Sequence, residues 1–159
     1  MVLLEVTTAS VEETVALGAR LGAVLEAGDF VALEGELGAG KTRLAEGIAR
    51  GLGVDAEERI PSPTFTLVNE HAGRVALVHA DLYRLTTPNE LFAIGWSDYL
   101  ERAAVIVVEW LSVVGAGAAA APADRIEIAL EVQGDERRRA TLRATGPRSA
   151  SRLRALAPP

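Results

Sequence analysis

The segment Gly35-Glu36-Leu37-Gly38-Ala39-Gly40-Lys41-Thr42 fits the pattern G-x-x-x-x-G-K-[ST] in full. Such a loop works only between a buried strand and the start of a helix, so it dictates its own surroundings. The flanks comply. Phe30–Leu33 is a short apolar strand, and a helix is expected from about Lys41 to Leu52, with Gly51 and Gly53 helping to end it. Glycines let the backbone curl so that successive N–H groups point at phosphate oxygens. The helix N-terminus adds its partial positive charge. Lys41 then reaches the β and γ phosphates, and the Thr42 hydroxyl takes a Mg²⁺ position. The competing reading is a glycine-rich turn that holds no ligand.

Composition sharpens this. Of 16 basic residues only Lys41 is lysine; the other 15 are arginine. A compact ammonium fits inside a phosphate loop where the broad guanidinium fork does not. Guanine-reading motifs of the Asn-Lys-x-Asp type need a second lysine, so an ordinary GTPase is excluded and ATP is the expected nucleotide. With no cysteine in 159 residues, disulfide scaffolds, thiolate catalysis and Cys-ligated metal sites are excluded too. No apolar run nears the ~20 residues of a membrane helix, and no signal-peptide pattern opens the chain. A soluble, cytoplasmic protein with no membrane partner is expected. The net charge of -6 is uneven. All 22 acids lie in residues 1–136 beside nine basic residues, while 137–159 hold seven arginines and no acid. That stretch, with Arg137-Arg138-Arg139, has two readings: a solvated edge, or a contact with RNA or an acidic partner.

Periodicity supplies the remaining elements. Residues 2–6 read as a strand, and Ser10 and Glu13 form a capping box before an amphipathic helix ending near Gly28. Phe65–Glu70 and Val75–Ala80 form a candidate hairpin around Ala72-Gly73. Pro88–Ile94 suits a short helix, and Ala103–Val108 a central strand covered on both faces. Residues 115–123 are low-complexity and read as a mobile connection. Arg125–Val132 and Arg139–Ala144 form a second hairpin, and Ser149–Leu156 a short helix or frayed tail. The expected fold is α/β: a three-layer P-loop NTPase-like domain with a mixed, mainly parallel central sheet and antiparallel hairpins. Residues 1–146 form one P-loop ATPase domain in this reading, and 147–159 a basic C-terminal tail open to disorder.

A nucleotide site also needs acids at strand ends. Two apolar runs end in one: Val75 to Asp81, and Ala104 to Glu109. Both deliver a carboxylate to the sheet edge beside the loop, as metal or water ligands; a solvated strand-end charge is the plain alternative for either. Several residues keep two readings. His79 contacts phosphate or base, or is a packed, hydrogen-bonded side chain. Trp110 stacks on adenine, or packs against its neighbours. Ser62 and Thr64 sense the γ-phosphate from a switch segment, or belong to a plain Ser-Pro turn. Arg84 neutralises charge at the site, or is solvated.

Together these segments resemble the bacterial tRNA threonylcarbamoyladenosine biosynthesis ATPase family, TsaE (YjeE). The resemblance rests on the phosphate loop, Ser62-Pro63-Thr64-Phe65-Thr66-Leu67-Val68-Asn69-Glu70, and His79-Ala80-Asp81-Leu82-Tyr83-Arg84-Leu85. Glu90-Leu91 with Gly95, Glu109-Trp110, and the hairpin from Arg125 to Gly146 extend it from about residue 5 to 146. Glu36 departs from the usual aspartate or asparagine, His71 from a tyrosine, and an alanine-glycine run follows Trp110 in place of a charged helix. The resemblance implies a small protein that binds and slowly hydrolyses ATP with Mg²⁺. It implies that the chain joins two partners, a threonylcarbamoyl-transfer subunit and its paralogous scaffold, and meets tRNA indirectly or weakly. By position, Gly35 to Thr42 bind nucleotide, with Lys41 on phosphate. Thr42 and Glu109 ligate metal, Asp81 supports metal or water, and Thr64, Tyr83, Arg84 and Trp110 line the site or the partner surface. Two other classes remain: a small-molecule kinase using the same loop, and a nucleotide-binding adaptor that does not hydrolyse.

Overall fold

The computed structural model describes residues 2–114 and 120–156. Ser10 caps the first helix as its sequence suggests. Its Oγ accepts from Glu13 N at 3.1 Å, and Glu13 Oε2 accepts in return from Ala9 N at 2.9 Å, one residue earlier than a standard capping box. Helix α1 (Val11–Val24) follows strand β1 (Leu3–Thr8) and leads through Gly28 into strand β2 (Phe30–Glu34). The phosphate loop separates β2 from helix α2 (Lys41–Gly51). Next come the strands β3 (Val68–His71) and β4 (Ala76–Asp81), then the short helices α3 (Pro88–Ala93) and α4 (Trp96–Leu100). Strand β5 (Ala104–Glu109) and a 3-10 turn at Leu111–Val114 precede the hairpin β6 (Ile126–Val132) and β7 (Arg138–Ala144). Helix α5 (Pro147–Leu156) is the last element among the described residues.

The seven strands form one sheet in the order β1-β7-β6-β2-β5-β4-β3. Its middle, β6-β2-β5-β4, is parallel, and antiparallel pairing adds β3 at one edge and β7 and β1 at the other. The apolar runs Phe30–Leu33 and Ala104–Val108 lie at the centre, buried on both faces. One face packs on α1, α2 and α5 through Leu21, Leu44, Ile48, Val107 and Leu153. The other packs on α3, α4 and the 3-10 turn through Leu82, Leu91, Trp96, Val108 and Leu111. The architecture is the three-layer α/β fold with a mixed sheet and antiparallel hairpins.

Three expectations need correction. Strand β3 begins at Val68, not Phe65, because Leu67 N donates back to Pro63 O at 2.7 Å and Leu67 takes a left-handed φ of 69°. Helix α4 has no counterpart in the sequence reading; five residues are too few for a period. Residues 147–156 are not a separate tail. Asp124 accepts from the N–H groups of Arg148 and Ser149, and Leu153 and Leu156 enter the core beside α1. Of the low-complexity stretch read as a mobile connection, residues 115–119 lie outside the described residues.

Candidate functional site

Helix α2 begins without a side-chain cap. Its N-cap residue is Gly40, with φ 103°, a conformation that costs glycine nothing and leaves the first amide groups without a side-chain acceptor. The helix therefore presents bare N–H donors and the positive end of its dipole to the carboxyl edge of the sheet. Opposite them, β4 and β5 run in parallel register and end side by side, Asp81 against Glu109. Between loop and strand ends lies a cleft of about 350 Å³, lined by Leu37, Gly38, Gly40, Lys41, Thr42, Ser62, Thr64, Asp81, Tyr83, Glu109 and Trp110.

Lys41 is 5% exposed. Its Nζ donates to Gly35 O at 2.5 Å and Glu36 O at 3.1 Å, and lies 4.2 Å from the centre of the Trp110 ring. Burial lowers its pKa from 10.5, against the opposing pull of Glu109, Asp81, Glu34 and Glu36. Asp81 is held from three sides: Oδ2 accepts from Ser62 Oγ at 3.1 Å and Thr64 Oγ1 at 2.9 Å, and Oδ1 from Tyr83 N at 2.9 Å. Glu109 is buried and meets His79 Nε2 at 2.6 Å. An ionised Glu109 accepts, so Nε2 carries the hydrogen, and His79 Nδ1 has no partner among the described residues. His79 is the packed, hydrogen-bonded side chain of the two readings, and what it holds is Glu109.

Trp110 follows Glu109 with a left-handed φ of 64°. This turns its ring toward Lys41 and toward Tyr83, whose ring centre lies 5.0 Å away. The strained turn is pinned by Glu34, which accepts from both Ser112 N and Ser112 Oγ at 3.0 Å. Not every expected residue faces the cleft. Ala39 is fully buried behind the loop, Gly35 and Glu36 turn their carbonyls to Lys41, and the Arg84 guanidinium lies over the Phe65 ring at 5.1 Å. Phe65 itself is 83% exposed.

Among the described residues, no three His, Asp or Glu side chains close into a metal cage. The donors present suit a cation that keeps most of its shell from phosphates and water, as Mg²⁺ does: one hydroxyl, Thr42, and two carboxylates, Asp81 and Glu109. Two contributors escaped the sequence reading. Glu34 reads as an ordinary strand-end charge. Arg138 hides in a run of three arginines, yet Nε donates to Ala39 O at 2.9 Å and Nη2 to Gly38 O at 3.2 Å. The remaining arginines of this stretch are mostly ion-paired: Arg139 with Glu131, Arg143 with Glu127, and both Arg148 and Arg152 with Asp29.

A mixed α/β sheet whose central strand runs through this loop into an uncapped helix defines a P-loop NTPase-like protein. The model of the family described as threonylcarbamoyl adenosine biosynthesis protein TsaE matches residues 8–140. The chain is 39% identical to the tRNA threonylcarbamoyladenosine biosynthesis protein TsaE of Treponema pallidum over 133 residues, 84% of this chain and 95% of that one. It is 36% identical to the protein of the same name from Bacillus subtilis over 142 residues, 89% and 85% of the two chains. The crystal structure of Bacillus subtilis YdiB superposes with a TM-score of 0.82 at 31% identity, covering 98% of this chain and 94% of that one. The chain belongs to the TsaE family.

Proposed function

We propose that this chain is the Mg²⁺-dependent, ATP-binding and slowly hydrolysing subunit of the machinery that forms N6-threonylcarbamoyladenosine beside the anticodon of tRNAs reading codons that start with A. In this reading it regulates or resets a complex of a threonylcarbamoyl-transfer subunit and its paralogous scaffold, without performing the transfer. Family membership supports the pathway, and the names of the relatives point the same way. The observation that carries the nucleotide chemistry is the convergence of Lys41, Thr42, Asp81 and Glu109 on one cleft.

Each residue has a definite task. Lys41 exchanges the carbonyls of Gly35 and Glu36 for β- and γ-phosphate oxygens, gaining charge-assisted bonds in place of neutral ones. Thr42 and Glu109 would hold Mg²⁺, which would supply charge neutralisation on the phosphates. His79 keeps the Glu109 carboxylate oriented. Asp81 is shared: it would support metal or water, and its Oδ2 is also the acceptor of Ser62 Oγ and Thr64 Oγ1, so this carboxylate ties the segment 62–66 to the site. Trp110 loses the Lys41 cation and becomes available to stack.

In cells deprived of their own family member, expression of this chain is expected to restore threonylcarbamoyladenosine to tRNA, measured by nucleoside mass analysis. Lys41→Ala is expected not to. No restoration by the wild type contradicts the pathway role, and restoration by Lys41→Ala contradicts the nucleotide requirement.

A further inference from the structure

Arg138 opens β7 opposite Val132 and does not line the cleft. Among the described residues its guanidinium has five acceptors, all main-chain carbonyls. Two belong to the loop, Gly38 and Ala39; three belong to the β6–β7 turn, Gly134, Asp135 and Arg137. The turn is anchored in its own right: Gln133 N donates to Arg137 O at 2.9 Å, and Glu136 Oε1 accepts from Val11 N at 3.0 Å.

A trans peptide is planar, with its C=O and N–H directed oppositely. Holding the carbonyls of Gly38 and Ala39 therefore turns the N–H groups of Ala39 and Gly40 away from the guanidinium. The Ala39 amide obeys this by donating to Glu36 O at 3.0 Å, which closes the curl. With carbonyls as partners, no carboxylate in contact offsets the charge of the guanidinium. Its planar fork is what bridges two consecutive carbonyls and a separate turn at once; a lysine ammonium lacks that shape.

We propose that Arg138 is a positioning residue for the phosphate loop, holding it through the Gly38 and Ala39 carbonyls in the curve that receives a polyphosphate. This rests on the nucleotide reading above, and the test separates the two. ADP is titrated calorimetrically into the full chain as wild type, Arg138→Met, Arg138→Lys and Lys41→Ala, and amide hydrogen exchange is read at Gly38 to Lys41 and along β6 and β7. Loss of two hydrogen bonds to a charged group should weaken ADP by about tenfold or more in both Arg138 variants, with faster exchange confined to the loop. If Arg138→Met fails to fold, Arg138→Lys, which keeps the charge and the stem, decides by the same readings. Wild-type ADP affinity in folded Arg138→Lys overturns the proposal, as does faster exchange only in β6 and β7, the mark of a plain hairpin brace. ADP bound by the wild type and lost in Lys41→Ala leaves the nucleotide reading standing in either case. No ADP binding by the wild type defeats both.

Discussion

The Lys41 ammonium is carried at a cost to stability. Burial lowers its pKa below 10.5 despite four nearby carboxylates. Between that lowered value and 10.5 the unfolded chain binds more protons at this group than the folded one, so stability rises with pH across the window; below it the whole penalty stands. Lys41→Met removes the penalty. Its thermal stability relative to wild type should therefore be highest near neutral pH and fall as pH climbs toward 10.5, which melts of both proteins across that range would measure. A difference that does not change with pH contradicts this account of the site. Glu109 is the complementary case. In the proposed role Glu109 holds metal or water, which matters more in the transition state than in the ground state, so Glu109→Ala should lower hydrolysis by at least about tenfold more than it lowers ATP affinity. Equal losses in turnover and binding would assign Glu109 to nucleotide binding alone.

Helices α1 and α2 meet through glycine. A Cβ placed on Gly18 would lie 2.4 Å from Leu44 O, and one on Gly47 2.1 Å from Val15 O, so the two backbones are in direct contact. This close approach fixes the helix that begins in the phosphate loop. Gly47→Ala must push the pair apart, at about 2–3 kcal/mol. Calorimetry should show a Tm lower by roughly 5–10 °C, accompanied by weaker nucleotide binding; an unchanged Tm would contradict the contact. The elements differ in how plainly the sequence announces them. The loop, its flanking strand and helix, and both hairpins are legible because each is specified by residues close in the chain. Asp81 and Glu109 are legible as strand-end acids for the same reason. The insertion of β6 beside β2, with β7 pairing onward to β1, is not, since it depends on contacts about a hundred residues apart. The turn at Leu67 and the left-handed Trp110 escape as well, because leucine and tryptophan carry no signal for positive φ. Arg138 escapes because a triple arginine looks the same whether it is solvated or bound to carbonyls.

At the scale of the molecule the uneven charge is an internal match. The acidic body and the arginine-rich last 23 residues meet across Glu127–Arg143, Glu131–Arg139 and the paired contacts of Asp29 with Arg148 and Arg152. Asp29 is buried, and Ala27 O also accepts from Arg148, so α5 is fastened to the start of the strand that leads into the phosphate loop. Removing residues 147–159 should take Leu153 and Leu156 out of the core, expose the apolar surface they cover, and strip Asp29 of its two arginine partners, costing about 3–6 kcal/mol for the leucines alone. Urea unfolding of the shortened chain would measure it; a stability equal to that of the full chain would return this segment to the status of a tail.

The central claim, that the loop around Lys41 is a working ATP site, is tested most directly by titrating ATP with Mg²⁺ into the purified wild type, Lys41→Arg and Lys41→Ala. Saturable binding by the wild type, weakened at least about a hundredfold in both variants, is the result the account predicts. Equal ATP affinity in all three proteins, or none in the wild type, would contradict it.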